Sequence, residues 1–323
     1  MKRTLTFWLT LALGAALAAG YPAFEAAYLK ASPELLKAEA ELKTAGARAQ
    51  ALKDDPYAAP FERAEAEDAA QRARALLKKT TLGLRQQALE TFAAVPLARA
   101  ALKLAEARLA YAVLAAKAAQ IRFERGAINN VERDRAQSAL AEARAAVGKA
   151  RTRLEEAEAA LKRYGAFAAE AVPELPLPER RSAEAHPDHL LARLELRAAE
   201  RALRAAEAPD TPRIETERRR AAFEAAKAAF GAKTTELERL LSQREADHRA
   251  ALRDLALKTG ALALKTEALQ AARLRFEKGT ASRLEVLKAV LDLKSAELEV
   301  SQARLALARA ALGLWAFAEE GAR

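Results

Sequence analysis

Cysteine is absent from all 323 residues, methionine occurs once and histidine three times. A disulfide framework, cysteine-ligated zinc or iron–sulfur centres, a thiol nucleophile and a lipid-modified N-terminal cysteine are therefore excluded. Aromatic residues make up only 5% of the chain, and valine (8) and isoleucine (3) are scarce, so the side chains that half-buried strands normally use are missing. Glycine (12) and proline (11) are sparse and clustered. What remains is Ala, Leu, Glu, Arg and Lys, with 51% of residues hydrophobic and 30% charged. That is the composition of long helices burying a narrow face, and the chain reads as all-α. Its formal charge is +10, but the 54 basic and 44 acidic residues are interleaved. Such a pattern describes solvated helix faces laced with i,i+4 pairs, not a nucleic-acid footprint.

Lys2 and Arg3 precede an apolar run from about Leu5 to Ala18, followed by the small residues Ala18, Ala19 and Gly20. This is the three-part layout of a secretory signal peptide, expected over 1–20, and the run falls short of the roughly 20 residues needed to span a bilayer. No later segment is apolar for long enough. The mature chain is thus expected outside the cytoplasm.

The rest reads as a tandem duplication. Arg122-Phe123-Glu124-Arg125-Gly126 returns as Arg275-Phe276-Glu277-Lys278-Gly279, 153 residues later. At the same offset Leu102, Leu109, Ala116 and Phe123 map onto Leu255, Leu262, Leu269 and Phe276, and Leu140, Val147, Leu154 and Leu161 onto Leu293, Val300, Leu307 and Leu314. Ser32-Pro33-Glu34 answers His186-Pro187-Asp188 at an offset of 154. The expected organisation is a first helical-hairpin repeat over 21–165, a Pro-rich linker over 166–185, a second repeat over 186–318 and a tail over 319–323.

Within each repeat, Pro33 or Pro187 at a first helical position opens a short helix of about 20 residues. A proline-bearing break follows, at 54–60 and at 209–212. Then come long helices, roughly 61–124 and 213–277, each reaching on the order of 95 Å at 1.5 Å per residue. Pro96 is expected to kink the first, while Gly231 and Gly260 weaken the second. Gly126 and Gly279 stand where a left-handed C-cap is needed. The return helices begin with matched caps, Asn129 with Glu132 and Ser282 with Glu285. In the last helix Leu284, Leu291, Leu298, Leu305 and Leu312 form one heptad line, and the Ala289 and Leu293 lines lie on the other side. A helix sticky on two flanks suits the wall of an α-barrel, and equally a monomeric four-helix bundle with a broad core-facing stripe.

The phrase Arg275-Phe276-Glu277-Lys278-Gly279-Thr280-Ala281-Ser282-Arg283-Leu284-Glu285-Val286-Leu287 resembles the signature of the TolC-like outer-membrane efflux proteins, and Leu312-Gly313-Leu314-Trp315 resembles their C-terminal helix. The resemblance implies a homotrimer whose helices form a tapered periplasmic tunnel, with tips facing an inner-membrane pump and its periplasmic adaptor. It implies a location in the periplasm or the cell outer membrane. That family inserts a β-hairpin into each break. Here the breaks, about 53–61 and 208–214, are too short for two strands of about 9–11 residues each. Either the tunnel docks beneath a separate outer-membrane barrel, or the chain is a relative kept for another envelope task.

For function, the resemblance singles out Phe123, Gly126, Asn129, Phe276, Gly279 and Ser282 as partner-binding tips, with Glu132 and Glu285 at the tunnel constriction; by position alone Phe123 and Phe276 also suit a core. Glu285 doubles as the cap partner of Ser282, and Lys288 stands where the family often has a second acid. His186, Asp188 and His189 fit a helix start better than a metal site, and Glu217-Arg218-Arg219-Arg220 fits a solvated face better than a phosphate contact. No phosphate loop or nucleophile motif is present, so no enzyme activity, cofactor or metal is expected. The leading expectation is a conduit component of an efflux or export system; the alternative is a soluble periplasmic coiled-coil chaperone or spacer resembling Skp.

Overall fold

A computed structural model describes residues 20–319. The expected signal peptide, apart from Gly20, lies outside the described residues, as do positions 320–323 of the expected tail. The described chain is all-α. Helix α1 is Gly20–Lys30, α2 Pro33–Asp54, α3 Pro60–Glu124, α4 Asn130–Lys162, α5 Pro187–Ala206, α6 Arg213–Glu277 and α7 Arg283–Leu314, with 3-10 turns at Ala183–Ala185 and Trp315–Phe317. Helices α3 and α6 are each 65 residues long. The breaks occupy 55–59 and 207–212, and neither holds a strand. No described helix is long and apolar enough to cross a membrane.

Local chemistry places the starts. Ser32 caps α2 by accepting from the Leu35 N–H, and Pro33 follows at the first helical position. His186 does the same for α5, its Nδ1 accepting from the Asp188 N–H at 3.1 Å ahead of Pro187. Helix α3 continues through Pro96, although proline removes the donor that the Phe92 carbonyl would otherwise receive.

The chain forms two compact units, each drawing on both halves of the sequence. One comprises 20–27, Ala88–Glu174 and Ala250–Ala308. Its core is built around scarce aromatics. Phe24 is fully buried, with the rings of Phe92, Tyr164 and Phe167 at 5.5, 5.7 and 5.4 Å, and Tyr21 meets Phe92 edge-on at 5.4 Å. Edge-to-face rings contribute beyond their buried area. Around them Ala88, Leu89, Ala93 and Val95 line the face of α3 that is closed to solvent. Arg99 reaches the Ala169 carbonyl at 3.3 Å and Glu158 at 3.4 Å, tying the segment after α4 to α3.

The other unit comprises Tyr28–Gln87, Leu175–Arg249 and 309–319. Here the segment before α5 pairs with the end of the described chain. Arg181 and Ala318 form an antiparallel bridge, the Ser182 N–H donates to Phe317 O at 3.0 Å and the Glu319 N–H to Arg180 O at 3.2 Å. Lys78 clamps both partners, donating to the carbonyls of Ala185 at 2.7 Å and Ala318 at 3.0 Å. Trp315 Nε1 donates to Pro176 O at 2.9 Å. Phe317 is buried with Leu237 and Ala183, and the His186 ring lies 4.8 Å from it. The proline-rich stretch, which the sequence presents as a linker, is thus irregular in backbone but anchored along its length.

Two expectations follow from these cores. Phe24→Ala should lower unfolding stability by about 3–5 kcal/mol, while Phe61→Ala, at an exposed ring, should stay within about 0.5 kcal/mol in denaturant titrations. Burial, reinforced by Lys78, Lys79 and Lys233 and opposed by Asp188, holds His186 below the usual histidine value of 6.5. A histidine kept neutral by the fold contributes stability above pH 6.5, and that stability is lost as pH falls towards its depressed folded value, because the unfolded chain takes up the proton first. The melting temperature should therefore drop on acidification below pH 6.5. His186→Asn keeps a capping acceptor without a titrating group, and should make that drop smaller.

Candidate functional site at the helical tips

The two reversals of the chain, at 125–129 and 278–282, belong to the same unit and are closed by one device. At the end of α3 the Gly126 N–H donates to Phe123 O at 2.8 Å and the Ala127 N–H to Arg122 O at 2.8 Å. At the end of α6 the Gly279 N–H donates to Phe276 O at 2.9 Å and the Thr280 N–H to Arg275 O at 2.9 Å. These are 5→2 and 6→1 bonds, a Schellman motif, and they require a left-handed residue. Gly126 and Gly279 supply it, with φ of 68° and 73°. No atom lies within 4 Å of a Cβ built on either glycine, so backbone conformation alone, not space, makes glycine necessary there.

The return helices start with caps of unequal completeness. At the first tip Asn129 accepts from the Glu132 N–H at 2.9 Å. At the second, Ser282 Oγ accepts from the Glu285 N–H at 3.2 Å, while Glu285 Oε1 accepts from the Ser282 N–H at 3.4 Å and from its hydroxyl at 3.1 Å. The capping box is reciprocal at the second tip, whereas the first is closed by the Asn129 side chain. Both glutamates are exposed in the first turn of their helices. That position complements the helix dipole and leaves the Glu132 carboxylate facing solvent.

The tip aromatics differ as well. Phe123 is half-buried beneath the Arg133 guanidinium, 4.4 Å from the ring centroid, a cation–π contact. Phe276 is 46% exposed. Three further apolar side chains near the tips are open to solvent and stand outside the heptad lines read from the sequence: Ile121, Val131 and Leu274. Their nearness to the two glycines was the signal that could have found them. Over 273–288 five cations (Arg273, Arg275, Lys278, Arg283, Lys288) face two carboxylates (Glu277, Glu285), so the second tip is the more basic.

The other candidates resolve into local structure. His186 and Asp188 form the start of α5, with His189 buried one turn in, against Phe230 at 5.0 Å. Among the described residues no group of His, Asp and Glu is arranged to hold a metal ion. In the Glu217–Arg220 stretch, Glu217 pairs with Arg213 and both Arg218 and Arg219 reach Glu215, a solvated face of i,i+3 and i,i+4 pairs.

No protein-family model and no curated protein matches this sequence. Solved structures do match. The chain is similar to CusC, described for the conformational changes that accompany its folding and transmembrane channel formation, at 16% identity over 93% of this chain and 92% of that one, with a TM-score of 0.59. It is similar to the outer membrane protein VceC of Vibrio cholerae at 16% identity, over 91% and 96% of the two chains, with a TM-score of 0.60. The CmeC outer membrane channel of Campylobacter jejuni matches at 13% identity, over 92% and 85%, with a TM-score of 0.58.

Gly279→Val should strain the left-handed position by about 1 kcal/mol or more, with no clash to add to it. Circular dichroism should stay helical, while the apparent stability of the α6–α7 hairpin, read by amide exchange near the tip, falls. Gly279→Asn, which tolerates the same conformation, should lose less.

Proposed function

We propose that this chain, which has the fold of the TolC-family outer-membrane channels, is the periplasmic, tunnel-forming part of an efflux or export conduit. It acts by geometry and not by chemistry. The observation that carries the reading is the pair of long helices of equal length, each reversed by the same glycine-dependent motif into a return helix, on a chain similar in fold to outer-membrane channels over more than nine-tenths of its length. In this reading 21–165 and 186–318 are one repeat copied once. Phe123, Gly126, Asn129, Phe276, Gly279 and Ser282 form the surface offered to a periplasmic adaptor and inner-membrane pump, and Glu132 and Glu285 ring the constriction.

Self-association to a homotrimer is supported by an exposed seam on α6. Leu257, Ala261, Leu264, Ala268 and Ala271 recur at alternating spacings of four and three, and all are open to solvent. Leu257 is 73% and Leu264 67% exposed. Such a 3.5-residue stripe is the seam of a coiled coil, and its alanines permit close approach of a second helix. A soluble periplasmic chaperone or spacer is the second reading, favoured by the two strandless breaks at 55–59 and 207–212.

The mature chain should sediment as a trimer at micromolar concentration. Leu257→Glu together with Leu264→Glu should yield a monomer with unchanged helicity. A wild-type monomer would remove the tunnel. A trimer that is recovered in the soluble periplasmic fraction and captures no adaptor would favour the chaperone or spacer.

A further inference from the structure

In the unit that does not contain the tips, a cavity of about 530 Å³ opens between α3 and α5. Arg74 and Lys78 stand one turn apart on α3, and Arg193 and Arg197 one turn apart on α5, so both walls present cations to the same space. The two exposed carboxylates of the lining, Glu184 and Glu319, leave a surplus of positive charge.

The cations are not equally engaged. Lys78 is held by the carbonyls of Ala185 and Ala318 and serves as a fixed charge. Arg197 reaches Gln71 at 3.5 Å and lies 4.0 Å from Asp68, whose main partner is Arg201. Among the described residues Arg74 and Arg193 make no hydrogen bond and no ion pair, and the Nε of Arg193 is closed to solvent without an acceptor. The terminal N–H groups of both guanidiniums are open to the cavity side without a protein acceptor, and an oxyanion would give them charge-assisted hydrogen bonds. Ala75, Pro187 and Leu190 supply an apolar part of the lining, beside the polar Gln71 and Ser182.

We infer that this cavity is a binding site for a small organic oxyanion, a phosphate monoester or carboxylate on a compact apolar body, with Arg193 and Arg74 as its principal ligands. The cavity is much larger than one phosphate, so the apolar part of the ligand rests on Ala75 and Leu190. Two carboxylates against four cations suit a single charged head and disfavour a polyanion. The inference stands independently of the transport reading, since none of these residues belongs to the tips or to the α6 seam.

The test is calorimetric titration of the full mature chain with phenyl phosphate, inorganic phosphate and phenol. Phenyl phosphate should bind about tenfold or more tighter than inorganic phosphate, and phenol should not bind. Arg193→Gln and Arg74→Gln should each weaken phenyl phosphate by about tenfold, whereas Arg135→Gln, on a tip, should leave it unchanged. Arg74 is exposed, so its variant keeps the test valid if Arg193→Gln fails to fold. No heat with phenyl phosphate, equal binding by phenol, or wild-type affinity in both arginine variants would overturn the site. Capture by phosphatidylglycerol vesicles without binding of phenyl phosphate would overturn the soluble ligand and point to a lipid headgroup.

Discussion

Alanine has a single carbon to bury, and a chain whose apolar fraction is mostly alanine and leucine gains little from any one contact. At about 25 cal/mol per Å² of apolar surface, such helices must touch over many turns to offset the entropy of ordering them. Two 65-residue helices with narrow closed faces meet that requirement. Several of the few aromatics are concentrated in the cores. Tyr21, Phe24, Phe92, Tyr164 and Phe167 cluster in one unit, and Phe317 and Phe230 lie against buried or half-buried partners in the other. The scarcity of rings is thus the reason their positions matter.

The same economy leaves apolar surface without a neighbour inside the chain. The α6 stripe from Leu257 to Ala271 is exposed over four helical steps, and the tips add Ile121, Val131, Leu274 and Phe276. Isolated exposed leucines are ordinary, but a regular seam on one helix is the pattern of an interface. The seam and the tips therefore carry different parts of the proposed conduit: the first would hold copies together, the second would meet other proteins.

The unit lacking the tips shows how polar groups organise a helical core. Lys78 reaches across to two carbonyls, the bridge between Arg181 and Ala318 satisfies backbone that no helix can, and His186 caps α5 while stacking near Phe317. Several backbone groups of the irregular segment find partners in this way, as burial demands. In the wall of the cavity between α3 and α5 the Arg193 Nε, like His189 Nδ1 nearby in the chain, is buried without a hydrogen-bond acceptor or donor.

Helix type, helix ends and the two reversals were determined by the sequence itself, because their causes are local. A left-handed glycine, a side-chain cap and a proline at a first helical position act within a few residues, and the observed bounds Pro33, Pro187, Glu124 and Glu277 lie where those signals stand. Helix α1 was not legible, since Gly20–Lys30 is held by Phe24 packing on distant Phe92 and Tyr164. At the tips the glycines and caps were readable, but the shielding of Phe123 by Arg133 and the exposure of Phe276 were not, because matched sequence positions received different neighbours. The anchoring of the proline-rich stretch and the cationic cavity likewise depend on residues more than a hundred positions apart, Lys78 with Ala185 and Arg74 with Arg193. Only the tertiary structure decided those, because burial and charge balance are properties of the packed neighbours and not of the residue that bears them.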